Sequence, residues 1–166
     1  MNSRKATVTV LGSLNVDLIA SLLKLPHPGE TVASSGITKL FGGKGANQAI
    51  AAARQKVAVR FIGCLGDDAE GRNYRQRLKR EGIDVRGIAT AKDSLTGTAL
   101  IGVAANGENL IMVASEANGL VIPAWVRRKR RLIETASALL MQFEIPTAAI
   151  VTAIQIANAA KVPTIL

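Results

Sequence analysis

The chain has 166 residues, of which 48% are hydrophobic and 20% are charged, and this balance excludes a disordered chain and favours a domain with a core. Its single cysteine, Cys64, excludes an intrachain disulfide, and no apolar run approaches the length of a membrane span. We therefore expect a cytoplasmic protein with no membrane partner, although the formal net charge of +9 leaves nucleic acid open.

The first predicted element is a buried strand over Thr7–Leu11, rich in β-branched residues and ended by Gly12. Asn15 and Asp17 follow it, and residues two apart in an extended segment point to the same side. An amide beside a carboxylate suits a polyol, but an isolated pair of this kind is also typical of a turn or a helix cap. Binding is favoured by the position after a first strand, where open α/β sheets bind ligands.

Residues 18–25 form the next predicted strand, and an extended segment over 31–40 leads to a glycine loop over 41–48. We predict a helix from Asn47 to about Arg54, with the loop at its entrance. The first N–H groups of a helix lack internal partners and carry partial positive charge, and small residues let a ligand approach them. The residues at this entrance are Gly43, Lys44, Gly45 and Asn47.

This loop fits neither of two common nucleotide-binding motifs. In a Walker A loop a serine or threonine follows the lysine, whereas Gly45 follows Lys44. In the dinucleotide fingerprint a glycine stands three residues after Gly45, where this chain has Gln48. A glycine-rich helix entrance without any ligand remains the alternative.

A buried strand over 57–62 and a helix from Ala69 to about Glu81 come next. We predict Asp68 as the helix N-cap rather than a metal ligand, and Gly82 as the residue that ends the helix. Residues 98–104 and Asn109–Ala114 flank an Asn-Gly turn and are predicted to form a hairpin.

The last predicted elements are a buried strand over 137–143 with Glu144 at its carboxyl end, a helix after Pro146, and an apolar strand over 162–166. Alternation of strands and helices predicts a doubly wound, mainly parallel α/β sheet with helices on both faces. A parallel sheet needs both faces covered, so a chain that ends on such a strand is expected to be truncated.

A basic run over 127–131 lies beside Trp125. Five consecutive residues of a helix cover every face of it, so the run forms no single binding stripe. Aromatic residues that stack on bases make up only 3% of the chain. We therefore interpret the run as a solvated surface helix and do not expect a nucleic-acid partner.

Several motifs, taken in their order along the chain, resemble those of the ribokinase, or PfkB-type, family of carbohydrate kinases. The resemblance covers essentially residues 6–166, and the central motif is the glycine loop. The matching segments are Gly12-Ser13-Leu14-Asn15-Val16-Asp17, Pro28-Gly29-Glu30-Thr31, Phe41-Gly42-Gly43-Lys44-Gly45-Ala46-Asn47-Gln48-Ala49, Gly66-Asp67-Asp68, Thr96-Gly97-Thr98-Ala99, Gly107-Glu108-Asn109 and Leu140-Met141-Gln142-Phe143-Glu144.

The resemblance implies a ribokinase-like fold with a small β-sheet inserted as a lid, in segments of about 18–40 and 96–115. It implies ATP-dependent phosphorylation of a sugar, most simply ribose to ribose 5-phosphate, with Mg²⁺ and in some members a monovalent cation. It also implies a homodimer formed through the lid sheet, and Ala99 and Ile101 as an apolar wall of the sugar site. The implied sugar ligands are Asn15, Asp17, Gly43, Lys44, Gly45, Asn47 and Glu144.

In the family, the catalytic base and most ATP contacts follow the position of Leu166. We therefore expect no catalytic residue and no metal ligand in this chain, and no turnover by the chain alone. Lys56, Glu116 and the basic run depart from the family pattern, since Lys56 replaces a small residue and Glu116 a glycine. The alternatives are a sugar-binding or dimerising module without catalysis, from a truncated gene, and a basic protein associated with nucleic acid.

Overall fold

The computed structural model of the chain describes residues 6–166. In chain order the elements are β1 (Thr7–Leu11), β2 (Asn15–Leu22), β3 (Ser34–Gly42), α1 (Lys44–Arg54), β4 (Ala58–Gly66), α2 (Ala69–Arg80), β5 (Asp84–Ala91), β6 (Gly97–Ala104), β7 (Asn109–Ala114), a 3-10 helix (Glu116–Leu120), α3 (Pro123–Arg128), α4 (Arg130–Glu134), β8 (Ala138–Met141), α5 (Thr147–Ala159) and β9 (Thr164–Ile165). The strands form two sheets.

The larger sheet is parallel, in the order β5-β4-β1-β8-β9. Neighbouring residues of one strand point to opposite faces, so Val10 and Leu11 of β1 belong to two different hydrophobic clusters. Helices α1 and α2 complete the cluster of Val10, while α3, α4 and α5 complete that of Leu11. The predicted doubly wound α/β arrangement is therefore confirmed.

The smaller sheet has the order β3-β2-β6-β7. Strands β2 and β6 are parallel, and the outer strands run antiparallel to them. In this register Asn15 pairs with Gly42 and Gly97, and Asp17 pairs with Ala99. Asn15 and Asp17 therefore share one face of the small sheet, as the spacing of two residues predicts.

Two predicted boundaries around the glycine loop are wrong. Helix α1 begins at Lys44 rather than Asn47, with Gly43 as its N-cap at φ 90°. The first turn of the helix is bonded to the segment after β1, because the N–H of Ala46 donates to the carbonyl of Ser13 at 3.1 Å. The second strand begins at Asn15 rather than residue 18, because Asn15 already pairs on both sides.

Strand β5 was not predicted. It pairs in parallel with β4 at the edge of the larger sheet. The basic run is also not one helix, because Lys129 at φ −102° and ψ 10° separates α3 from α4. The N–H of Lys129 closes α3 on the carbonyls of Trp125 and Val126. The run therefore spans a corner of the fold rather than one exposed helix.

Asp68 is the N-cap of α2, as predicted, and its carboxylate accepts from the N–H of Gly71 at 2.6 Å. The same carboxylate accepts from the N–H and the hydroxyl of Thr96, each at 2.7 Å. Burial alone raises the pKa of Asp68, but the bonds from Thr96 and Gly71 outweigh it and leave the pKa lowered. Asp68 thereby ties the residue before β6 to the start of α2.

Candidate functional site

The candidate site lies where the carboxyl ends of β1 and β8 meet the first turn of α1. This is the edge at which open parallel sheets bind ligands. Close packing requires glycine here, since a Cβ on Gly43 would lie 2.8 Å from the nitrogen of Asn15 and 3.0 Å from the oxygen of Ser13. A Cβ on Gly45 would lie 2.6 Å from the nitrogen of Ser13. The glycine loop therefore places the helix N-terminus directly against the end of β1.

Glu144 is held in this site by three donors. Its Oε2 accepts from the hydroxyl of Ser13 at 2.7 Å and from the N–H of Lys44 at 3.0 Å, and its Oε1 lies 3.0 Å from Nζ of Lys44. Burial works to raise the pKa of Glu144, but the Ser13 and Lys44 contacts outweigh it and lower the pKa. Glu144 is therefore held as a charged acceptor at neutral pH.

Ser13 links the parts of this network and was not among the predicted ligands. It is fully buried, and its hydroxyl also accepts the N–H of Gly45 at 3.2 Å. One hydroxyl thus satisfies a free donor of α1 and at the same time donates to Glu144. The only sequence signal was its place in the Gly-Ser-Leu-Asn segment, which does not distinguish a connecting residue from a turn residue.

Asp17 approaches the same site from the small sheet. Burial raises the pKa of Asp17, and the negative charge of Glu144 raises it further. A Cβ on Gly42 would overlap the Asp17 carboxylate, so only glycine at the end of β3 leaves room for this carboxylate. Asp17 is thus close enough to Glu144 for the two charges to interact, and Glu144 in turn contacts Lys44.

Asn15 is 3% exposed and lines a cavity of about 400 Å³ together with Asn118, Val113, Phe143 and Glu144. Asn118 contacts Asn15 directly, with Nδ2 of Asn118 lying 2.7 Å from Oδ1 of Asn15. Asn118 was not predicted, because it lies 103 residues away along the chain. The expected apolar wall of Ala99 and Ile101 does not line this cavity, and Val113, which pairs with Ala99, lines it instead.

The remaining predicted residues surround the helix entrance. The N–H of Asn47 donates to the carbonyl of Gly43 at 3.0 Å, and its side chain is exposed. Tyr74 of α2 packs against the glycine loop. Its buried hydroxyl donates to the carbonyl of Gly42, and its ring centroid lies 4.5 Å from that of Phe41. Burial raises the pKa of Tyr74, which therefore stays a neutral donor.

Other reactive side chains lie outside the site. Cys64 is buried in the larger sheet, and burial raises the pKa of its thiol, which fits an unreactive residue. Within residues 6–166 no group of three or more His, Cys, Asp or Glu side chains is arranged to hold a metal ion. In the same part of the chain no helix is long and apolar enough to cross a membrane.

The basic run offers little to a nucleic-acid base. The indole N–H of Trp125 donates to the carbonyl of Gly87 at 3.2 Å. Lys129 and Arg128 lie 4.6 Å and 5.7 Å from the centroid of its ring, in cation–π contacts. The aromatic side chain that would stack on a base is thus engaged within the fold.

The sequence matches the pfkB family of carbohydrate kinases over residues 5–166. The chain belongs to this family. The ribokinase of Haemophilus influenzae is 41% identical over 162 residues, which are 98% of this chain and 53% of that protein. The ribokinase of Schizosaccharomyces pombe is 40% identical over 157 residues, which are 91% of this chain and 49% of that protein.

A solved structure of Arabidopsis thaliana ribokinase, complexed with ribose and ATP, has the same fold as this pfkB-family chain. The two share a TM-score of 0.85 at 29% identity, over 96% of this chain and 52% of the Arabidopsis chain. The ribokinase-like α/β fold with its second, small sheet is thereby confirmed. The chain spans about half the length of the curated relatives it matches.

Proposed function

We propose that this chain is the sugar-binding half of an ATP-dependent sugar kinase, and that its sugar is ribose, phosphorylated to ribose 5-phosphate. The observation that carries the proposal is the convergence of Asp17, Lys44 and Glu144 at the N-terminus of α1. Membership of the pfkB family, with ribokinases among the relatives, supports ribose as the substrate.

A polyol is bound through its hydroxyl groups, which require both hydrogen-bond acceptors and hydrogen-bond donors in the site. Asp17 and Glu144 accept hydroxyl protons, while Lys44, Asn47 and the backbone N–H of Gly43 donate to hydroxyl oxygens, and the N–H of Gly45 stays bonded to Ser13. Each buried pairing contributes about 1–3 kcal/mol, because losing one partner leaves the other unsatisfied.

Calorimetric titration with D-ribose tests this proposal. We expect binding by the wild-type chain and a loss of at least about 10-fold in affinity for Asp17→Ala, which corresponds to one buried hydrogen bond. Asp93→Ala is the matched control, because Asp93 is an exposed aspartate in the turn after β5. Equal affinity for ribose in wild type and Asp17→Ala, or no binding by either, would contradict the proposal.

ATP supplies the transferred phosphoryl group, and Mg²⁺ spreads its charge. We assign the catalytic base, the nucleotide contacts and the metal to the part of the relatives' length that this chain does not span. The residues of this chain bind and orient the sugar. We therefore expect no ADP release above background when the chain is incubated with ribose, ATP and Mg²⁺, and a measurable rate would contradict this division of roles.

We further propose that the small sheet acts as a lid over the sugar, in segments of about 18–40 and 96–115, and that it pairs two copies of the chain. Its face opposite Asp17 is apolar, with Leu18, Leu100 and Met112 in register across three strands. Leu100 is 46% exposed and Met112 is 56% exposed. An exposed apolar face of this kind is typical of an interface, and its position leaves the sugar side free.

A second candidate function is a sugar-binding or dimerising module without catalysis. It is favoured by one fact, that the chain spans about half the length of its relatives. Ribose binding without turnover, even when the missing half is supplied from a relative as a separate chain, supports the module. Recovery of turnover in that mixture supports the kinase half.

A further inference from the structure

We infer that Asn118 is a positioning residue, which fixes the side-chain amide of Asn15 so that its NH₂ group faces the sugar cavity. The inference rests on the proposed function for its consequence, but its geometry stands on the structure alone. Asn118 belongs to the 3-10 helix after β7, is 1% exposed and lies beside Asn15 in the wall of the cavity.

The orientation of the Asn118 amide is set by the backbone of Leu14. Its Oδ1 accepts from the N–H of Leu14 at 2.9 Å, and its Nδ2 donates to the carbonyl of Leu14 at 3.2 Å. A backbone N–H only donates and a carbonyl oxygen only accepts, so turning this amide by 180° would break both bonds. The oxygen and nitrogen of Asn118 are therefore assigned by chemistry.

The orientation of Asn15 follows from that of Asn118. The second proton of Asn118 Nδ2 is directed at Oδ1 of Asn15, 2.7 Å away. If the Asn15 amide were reversed, two NH₂ groups would face each other and both would lose a partner. Asn15 therefore turns its oxygen toward Asn118 and its NH₂ group toward the cavity.

Gly97 makes room for this pair of amides. A Cβ on Gly97 would overlap Nδ2 of Asn118 and lie 2.6 Å from Oδ1 of Asn15. Because Gly97 is the first residue of β6 and pairs with Asn15, the bare backbone brings the two side chains together at the base of the small sheet. This close approach gives Gly97 a defined role that its position in the Thr-Gly-Thr segment did not reveal.

The orientation of the Asn15 amide determines which ligand atoms can bind beside it. Asn15 presents a donor, and Asp17 on the same face of the strand presents an acceptor. A hydroxyl oxygen accepts from an NH₂ group and still donates its proton to a carboxylate, whereas a carbonyl oxygen has no proton to donate. The pair therefore selects a hydroxyl over a carbonyl at this position, and Asn118 maintains that selection.

Calorimetry with D-ribose on four proteins tests the role in binding: wild type, Asn15→Ala, Asn118→Ala and the double variant. We expect Asn118→Ala to weaken ribose binding about 10-fold, as for one hydrogen bond. In the Asn15→Ala background the same substitution should have no further effect, because Asn118 acts through Asn15. Unchanged affinity in Asn118→Ala, or losses that add fully in the double variant, would overturn the inference. Asn106→Ala, at an exposed turn, is the control.

Side-chain amide NMR of the ligand-free wild type tests the geometry without ribose and without any variant. The NH₂ protons of Asn118 should exchange slowly with solvent, because both are bonded and buried, and those of Asn15 should exchange faster. The reverse order would overturn the inference. A chain that shows the expected exchange but binds no ribose would contradict the proposed function and leave the positioning of Asn15 established.

Discussion

Asp17 lies on β2 of the small sheet and Glu144 lies after β8 of the larger sheet, and the charge of Glu144 adds to burial in raising the pKa of Asp17. The two carboxylates are not equivalent, because Ser13 and Lys44 hold Glu144 in the charged state, whereas among residues 6–166 no hydrogen-bond donor contacts the carboxylate of Asp17. The pKa of Glu144 is therefore lowered while the pKa of Asp17 is raised.

The first prediction is that Asp17→Asn stabilises the ligand-free chain at pH 7 while it weakens ribose binding. Because the pKa of Asp17 is raised above its unfolded value of 3.8, the unfolded chain releases this proton first, and the free energy of unfolding falls as the pH rises through the window between the two values. Asparagine does not titrate. The stability difference in denaturant unfolding should therefore shrink as the pH falls toward 3.8.

Asp93→Asn provides the comparison for this experiment, since it removes an exposed carboxylate of the same type. It should change the free energy of unfolding little at pH 7. An Asp17→Asn variant that is less stable than wild type at pH 7 would show that the carboxylate makes a favourable contact in the free chain.

The second prediction concerns Ser13→Ala, which removes the donor to Glu144 and the acceptor for the N–H of Gly45. We expect a loss of about 1–3 kcal/mol at pH 7, because a buried N–H is left without a partner. The pKa of Glu144 is lowered below 4.5 in the folded chain, so the stability it contributes is present above pH 4.5 and is lost as the pH falls through the folded value.

In Ser13→Ala the pKa of Glu144 should move back toward 4.5, so part of the stability deficit should disappear in acid. Urea unfolding at pH 7 and at pH 4 measures both effects. Ser35→Ala is the control, because its hydroxyl is exposed and makes one bond, of 3.3 Å, to Ser21. A pH-independent deficit in Ser13→Ala would mean that Glu144 does not depend on this hydroxyl.

The third prediction separates backbone strain from steric contact at the glycine loop. Gly29 at φ 82° and Gly43 at φ 90° both adopt conformations that side chains disfavour, but a Cβ on Gly29 would meet nothing within 4 Å. Gly29→Ala should therefore cost about 1 kcal/mol, from strain alone. Gly43→Ala should cost more and should abolish ribose binding, since its Cβ would push against Ser13 and Asn15. Equal losses in thermal unfolding would remove the steric argument.

The fourth prediction concerns Lys56 and Glu116, two residues that depart from the family pattern. Glu116 has φ 44° and Lys56 has φ 63°, so both non-glycine residues stand in the left-handed region. We expect Glu116→Gly and Lys56→Gly each to stabilise the chain by about 0.5–1 kcal/mol, the strain relieved less the entropy gained by the unfolded chain. Gly82→Ala, at φ 77° with open space around it, should destabilise the chain instead, and melting temperatures compare all three.

The fifth prediction addresses the apolar face of the small sheet. Leu100→Asp places a charge at the centre of the proposed interface and should convert a dimer to a monomer in sedimentation velocity. Leu23→Asp is the control, because Leu23 is 85% exposed and lies at the end of β2. A wild-type chain that sediments as a monomer at high concentration would contradict dimerisation through this sheet.

Sequence reasoning captured the repeating pattern of the fold, since local apolar periodicity and the capping by Asp68 are both local signals. It missed β5, because Asp84 begins the strand and Gly87 interrupts it, both residues that disfavour strands. It also began α1 too late. Glycine has low helix propensity, but Gly45 is helical because only a residue without Cβ fits against Ser13.

The candidate site was predicted in its acids, its lysine and its glycine loop, because these residues stand in compact motifs. The connecting residues were not predicted. Ser13 and Asn118 act through contacts across 131 and 104 residues of sequence, and no local pattern reports such a contact. What a sequence conveys about a site is thus mainly the groups that face the ligand, and less the groups that orient them.

The two anchors at the base of the small sheet restrict how that sheet moves. Asp68 secures Thr96, one residue before β6, and Asn118 secures Leu14, one residue before β2. The two central strands of the small sheet, β2 and β6, are therefore held in place at their first residues. We therefore expect motion of the small sheet to arise from bending along its strands, with displacement growing toward Leu22 and Ala104, rather than from rotation of the whole sheet about its first residues.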